Sequence, residues 1–121
     1  MFDFKSANLS NLSTADESDF IDQLDGILMP TEETCILLQF HRDGVVFTSN
    51  RIIVINIQGI GGKKKTISSF PYRTIQAYSM DDSDNFKNLD ISFGNLGTLT
   101  LGFVGRSKLI EVYNFISCKI L

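Results

Sequence analysis

Tryptophan is missing from this chain, histidine occurs once, and cysteine and proline occur twice each. With one histidine and two cysteines 83 positions apart, Cys35 and Cys118, no CxxC pair or Cys/His cluster can form, which argues against a zinc site. No segment approaches the roughly 20 apolar residues needed to cross a bilayer. Residues 1–20 lack the basic start and apolar run of a secretion signal, so a cytoplasmic location is expected. Both cysteines are accordingly read as reduced, small, buried core residues. Asn8-Leu9-Ser10 and Asn11-Leu12-Ser13 fit the glycosylation pattern, but without a secretion signal they carry no weight.

What is present instead is phenylalanine, ten residues of it, within 43% hydrophobic content. That suffices for a single-domain core built on rings that need no hydrogen-bond partner. The net charge is −3, and a net acidic chain is a poor general binder of nucleic acid, whose phosphates demand a basic surface. The charge is unevenly spread. Residues 1–30 carry six acids against one lysine, whereas residues 31–80 carry six bases against three acids.

Residues 1–13, rich in Ser and Asn, suggest no regular structure. Thr14-Ala15-Asp16-Glu17 has the form of a capping box. Phe20, Ile21, Leu24, Ile27 and Leu28 follow on one face, predicting an amphipathic helix over about 15–28. Strand signals begin at Cys35. The reading is Cys35–His41, an Asp43-Gly44 turn, Val45–Thr48, Ile52–Ile57, a glycine-rich loop, Thr66–Phe70 and Ile75–Met80, then two alternating strands around Leu89–Phe93 and Leu99–Phe103 joined at Gly94–Gly97. After Gly105, the stripe Leu109, Val112, Tyr113, Ile116 and Ile120 predicts a helix over about 107–121. Seven strands and then one helix describe a bent antiparallel sheet whose open mouth the helix plugs.

Three segments carry a family likeness: Arg42-Asp43 with Phe47-Thr48-Ser49-Asn50-Arg51-Ile52-Ile53; Gly62-Lys63-Lys64; and Pro71-Tyr72-Arg73-Thr74-Ile75. In order and spacing they resemble the bacterial pleckstrin homology (PH) domains, from about Met29 to the C-terminus. Ser49 stands where that family commonly has Asn, and Lys65 is an extra lysine. The resemblance implies a seven-stranded bent antiparallel PH-like barrel over 30–121, preceded by an acidic segment over 1–29. It also implies a small cytoplasmic protein that assembles into closed rings and carries no assigned activity.

The loop Gly59-Ile60-Gly61-Gly62-Lys63-Lys64-Lys65-Thr66 fails both nucleotide templates. A P-loop needs Gly at position 57 and Ser or Thr at 64, and a dinucleotide fingerprint needs Gly at 64 with a helix to follow. What survives is a basic hairpin tip, either a solvated turn that keeps an edge soluble or, as PH domains that bind inositol phosphates imply, a weak anion site of Lys63, Lys64 and Lys65 with Arg51 or Arg73. Membrane contact is then at most peripheral. Asp81-Asp82-Ser83-Asp84-Asn85 has Phe86 and Ser92 where a calcium loop needs Gly and Glu, so it reads as an acidic turn. His41 has no accompanying nucleophile motif. No catalytic residue, cofactor site or metal site is assigned.

Ile52-Ile53-Val54-Ile55-Asn56-Ile57 is apolar on both faces, so both need cover. The candidate surface is Ile53, Ile55 and Ile57 with Phe20, Ile21 and Leu24, packed within the chain or against another copy. The expectation is a non-catalytic homo-oligomeric interaction module, with weak anion or lipid binding as the alternative.

Overall fold

The computed structural model describes residues 6–121 and resolves eight strands and two α-helices there. The chain divides into two compact units, residues 14–71 and residues 1–13 with 72–121.

In the first unit, β2 (Thr34–Phe40), β3 (Asp43–Thr48), β4 (Arg51–Gln58) and β5 (Lys64–Pro71) form an antiparallel meander. The β2–β3 turn falls at His41-Arg42, two residues before the expected Asp43-Gly44, with His41 at φ 55°. Gly44 lies inside β3 for a different reason. A Cβ there would sit 2.4 and 2.5 Å from Cε1 and Cζ of Phe20, so the missing side chain is the seat of that ring. The Asp43 carboxylate, freed from turn duty, accepts the Ile57 amide at 3.0 Å.

The predicted helix over 15–28 is instead a 3-10 turn (Glu17–Phe20) followed by one turn of helix, α1 (Ile21–Leu24), and an irregular return. The cap is Asp16 with Asp19, whose Oδ2 accepts the Asp16 amide at 2.8 Å. Thr14 and Glu17 do not form it, because the Glu17 carboxylate accepts the Thr34 hydroxyl instead. Gly26 at φ 75° ends any helical path, and Asp and Ser compete with helix through their own backbone bonds. The arm still buries its apolar face: Ala15 and Phe20 join Val46, Ile53 and Ile55 in one cluster, with Leu24, Ile27, Leu28, Ile57 and Ile67 half-buried against it. Ile52 and Val54, on the other face of β4, are buried too. At roughly 1.5–3 kcal/mol per buried isoleucine, covering Ile53 and Ile55 is a major contribution. Their demand for cover is met inside the chain, so it is no argument for a subunit contact.

In the second unit, β1 (Ser6–Thr14) runs parallel to β8 (Thr98–Phe103), which pairs antiparallel with β7 (Lys87–Ser92), itself antiparallel to β6 (Ala77–Asp82). The strand β1 was not expected. Its two inward leucines, Leu9 opposite Leu101 and Leu12 opposite Phe103, are three residues apart because a bulge with Asn11 at φ 56° intervenes. That insertion removes the period-two signal. Residues 1–5 of the same segment lie outside the described residues.

The C-terminal helix α2 (Arg106–Ile120) buries Leu109, Val112 and Ile116. The Tyr78 and Tyr113 rings pack at a tilt of 56° with centroids 5.0 Å apart, and the Tyr78 hydroxyl lies 2.5 Å from Ser117 Oγ. Cys35 and Cys118, expected in the core, are exposed. Cys35 alternates with the buried Ile36, and Cys118 falls off the helix stripe that buries Ile116. Among the described residues no helix is long and apolar enough to cross a membrane.

Candidate functional site

Antiparallel meanders place alternate turns at the same end. In the 14–71 unit the β3–β4 turn lies at one end of β4, and the His41-Arg42 turn and the β4–β5 tip lie at the other.

At the first end, Glu32 and Arg51 form a closed clamp. Arg51 Nε and Nη2 donate to the two Glu32 oxygens, each at 2.9 Å, a bidentate fork. Thr48 Oγ1 donates to Glu32 Oε2 at 2.5 Å and the Met29 amide donates to Oε1 at 3.1 Å. The guanidinium also donates to the Ile27 carbonyl at 2.9 Å and to Ser69 Oγ at 3.0 Å. The Glu32 side chain is fully buried. The Arg51 hydrogen bonds overcome the cost of burial and, with those from Thr48 and Met29, hold its carboxyl at a pKa of about 2. Arg51 is raised in turn, chiefly by its bond to Glu32. Residues 27–32 are thereby pinned to β3, β4 and β5.

Beside this clamp lies a cleft of about 630 Å³. Phe20, Ile21, Leu24 and Leu28 supply an apolar floor, while Glu17, Asp25 and Glu33 supply carboxylates. Ile21 is 65% exposed there. Between Lys5 and Arg42 the sequence carries seven carboxylates and no lysine or arginine. Among the described residues none of Glu17, Asp25 and Glu33 forms an ion pair.

At the second end, Gly59, Gly61 and Gly62 all take positive φ, a path that residues with a Cβ rarely follow, and the tip projects Ile60 with 93% of its surface exposed. Arg42 braces the tip, its Nη1 donating to the Gly59 carbonyl at 2.8 Å. Lys63, Lys64 and Lys65 are exposed. Strand alternation sends Lys64 to one sheet face and Lys65 to the other, where Lys63, Lys65 and Asp22 line a hollow of about 330 Å³.

The sequence matches the family described as bacterial PH domain over residues 3–120. The chain belongs to that family. It is 35% identical over 78 residues to the uncharacterized protein YjqA of Bacillus subtilis (strain 168), a match covering 64% of this chain and 62% of that relative's length. A crystal structure of a DUF1696 family protein with a pleckstrin-homology domain from Shewanella loihica PV-4 superposes with a TM-score of 0.78 at 22% identity, covering 93% of this chain and 99% of that one. A pleckstrin homology domain from Shewanella amazonensis SB2B gives 0.67 at 27% identity, covering 90% and 91%. The likeness to the S. loihica protein is one of fold: a mainly β structure with a C-terminal helix.

In this bacterial PH domain the expected anion set is not one constellation. Lys63, Lys64 and Lys65 share the tip, but Arg51 sits at the opposite end of β4, about 23 Å away at the usual strand rise, with its donors spent on Glu32, Ile27 and Ser69. Arg73 is exposed in the other unit. Of the expected packing surface, Phe20, Ile53 and Ile55 come together in the buried cluster, Ile57 and Leu24 border it, and Ile21 turns to the cleft. His41 is an exposed turn residue whose ring lies 4.0 Å from that of Phe40, tilted by 55°. Sequence reasoning passed over Glu32, Arg42 and Ile60. The meander itself was the available signal: once four antiparallel strands are read, residues 41–42 must neighbour residues 59–63, and residues 32–34 must neighbour residues 48–51.

Proposed function

We propose that this PH domain is a non-catalytic, homo-oligomeric assembly module that offers a repeated surface to a protein partner. The observation that carries this reading is the uneven charge of the 14–71 unit: carboxylates without a basic partner among the described residues around the cleft, and Arg42 with Lys63–Lys65 exposed at the β4–β5 tip. Copies carrying such patches attract one another. A head-to-tail contact closes into a ring when its rotation closes. Exposed charges are screened beyond about 10 Å at 0.1 M salt, so the association is salt-dependent. Size-exclusion chromatography with light scattering at 50 and 500 mM salt tests it. A mass above 13.5 kDa that falls with salt is expected, and a 13.5 kDa species at micromolar concentration in low salt defeats it.

The exposed Ile60 beside four basic residues favours one second reading, peripheral contact with an anionic lipid surface. Each basic residue near such a surface contributes roughly 1 kcal/mol, opposed here by the carboxylates of the arm. This reading predicts sedimentation with phosphatidylserine vesicles that disappears in a Lys63/Lys64/Lys65→Ala variant. Binding untouched by that variant removes it.

A further inference from the structure

We infer that β6 is a docking edge for an extended segment of a second protein. The segment adds as a strand along Ala77–Asp82, with basic side chains on one face and apolar ones on the other. This rests on the protein-partner part of the reading above and not on self-assembly.

The two outermost strands are built differently. Among the described residues, β5 and β6 each have a strand on one side only. β5 carries Lys64, Lys65 and Pro71, whose charge and missing N–H discourage pairing with another chain. β6 has no lysine and no proline, and it pairs with β7 in unbroken register from Ala77 opposite Ser92 to Asp82 opposite Lys87. In an antiparallel pair, every other residue turns its N–H and C=O away from the partner strand. Along β6 those groups face outward, and no described strand meets them. A regular, unguarded edge of this kind is a template for main-chain hydrogen bonds with an extended segment.

The side chains beside the edge select what pairs there. Ala77 and Ser79 share a face with their cross-strand partners Ser92 and Asp90, and Ser92 with Thr98 beyond it. These short residues leave a hollow of about 470 Å³ along β6. Asp90 lies half-buried in it, accepting the Thr100 hydroxyl at 2.7 Å and pairing with no cation among the described residues. Asp81, exposed on the same face, has no ion pair there either. An added strand would run about 10 Å from β7, a gap that a lysine or arginine spans by crossing the short Ser79. On the opposite face Tyr78 and Met80 are half-buried, with Tyr78 packed on Tyr113 of α2, so an apolar residue is matched there. Between Arg73 and Arg106 the sequence carries four carboxylates and one lysine, Lys87, which pairs with Asp82. The edge therefore repels acidic segments and attracts basic ones.

The test uses the full chain and a synthetic probe, an acetylated, amidated heptapeptide of alternating valine and lysine. Nuclear magnetic resonance titration is expected to show saturable shifts centred on the Ala77–Asp82 amides. Ser79→Lys, at an exposed position, guards the edge and is expected to raise the dissociation constant at least about tenfold, with circular dichroism verifying folding. A probe with glutamate in place of lysine is expected to lose as much. Two further probes are N-methylated at one or the other set of alternate residues. One is expected to lose binding and the other to keep it, because only one set faces β6. Equal binding by the two N-methylated probes, wild-type-like binding by Ser79→Lys, shifts centred elsewhere, or no binding at about 1 mM probe overturns the docking edge. So do β6 amides that are protected from exchange in a wild-type oligomer and freed in its monomer, which place a second copy on the edge. A monomeric wild type that binds the probe along β6 upholds the docking edge and overturns self-assembly alone.

Discussion

Replacing Glu32 by glutamine removes the one charge that neutralises Arg51 in the buried clamp. Glu32 has a pKa of about 2 in the folded chain against an ordinary 4.5. A depressed carboxylate pKa stabilises the fold fully above the unfolded value, and this contribution is lost as pH falls from 4.5 through 2. At 1.36 kcal/mol per unit, the difference corresponds to about 3 kcal/mol at neutral pH. Because the Glu32 side chain is fully buried, solvent screening reduces this little. Losing one member of a buried pair costs about 3–5 kcal/mol by the independent route of stranding its partner, which agrees. Against a typical total of about 5–15 kcal/mol the loss is large, and should lower the melting temperature by roughly 10 °C. Urea unfolding of wild type and Glu32→Gln at pH 7, 4 and 3 is the assay. The variant should be about 3 kcal/mol less stable at pH 7, and the gap should shrink as the wild-type carboxylate is protonated. A gap below about 0.5 kcal/mol at pH 7, or one that does not change with pH, would refute the clamp.

Two further outcomes follow from packing. Gly44→Ala drives a methyl group into the Phe20 ring and should cost about 1–3 kcal/mol in urea unfolding, with the loss largely relieved in a Gly44→Ala/Phe20→Leu double variant; additive losses would show that the ring is not seated there. Cys35 and Cys118 are both exposed, so a thiol reagent should titrate both in native buffer without denaturant; a thiol that reacts only after unfolding contradicts the placement.

Much of the fold was legible because its signals are local. The meander β2–β5, the β7–β8 hairpin and α2 all follow from alternation or helical stripes in continuous segments. The misses have identifiable causes. β1 was hidden by a bulge that sets Leu9 and Leu12 out of phase. The arm over 15–28 carries a helical apolar spacing but breaks at Gly26, and its apolar residues are satisfied by packing on β3 and β4 without a regular helix. Asp43-Gly44 looked like a turn because the tertiary reason for Gly44, the Phe20 ring, lies 24 positions away.

The candidate site was less legible for the same reason. Lys63–Lys65 are contiguous and visible. Glu32 and Arg51 are 19 positions apart, and only the strand register relates them. Arg51 and Lys63 look alike as sequence. Register sends one to a buried carboxylate and the other to solvent.

Native mass spectrometry of the wild-type chain in low-salt buffer tests the central claim most directly, since it counts subunits. Self-assembly predicts a discrete multiple of 13.5 kDa. A single 13.5 kDa species contradicts it.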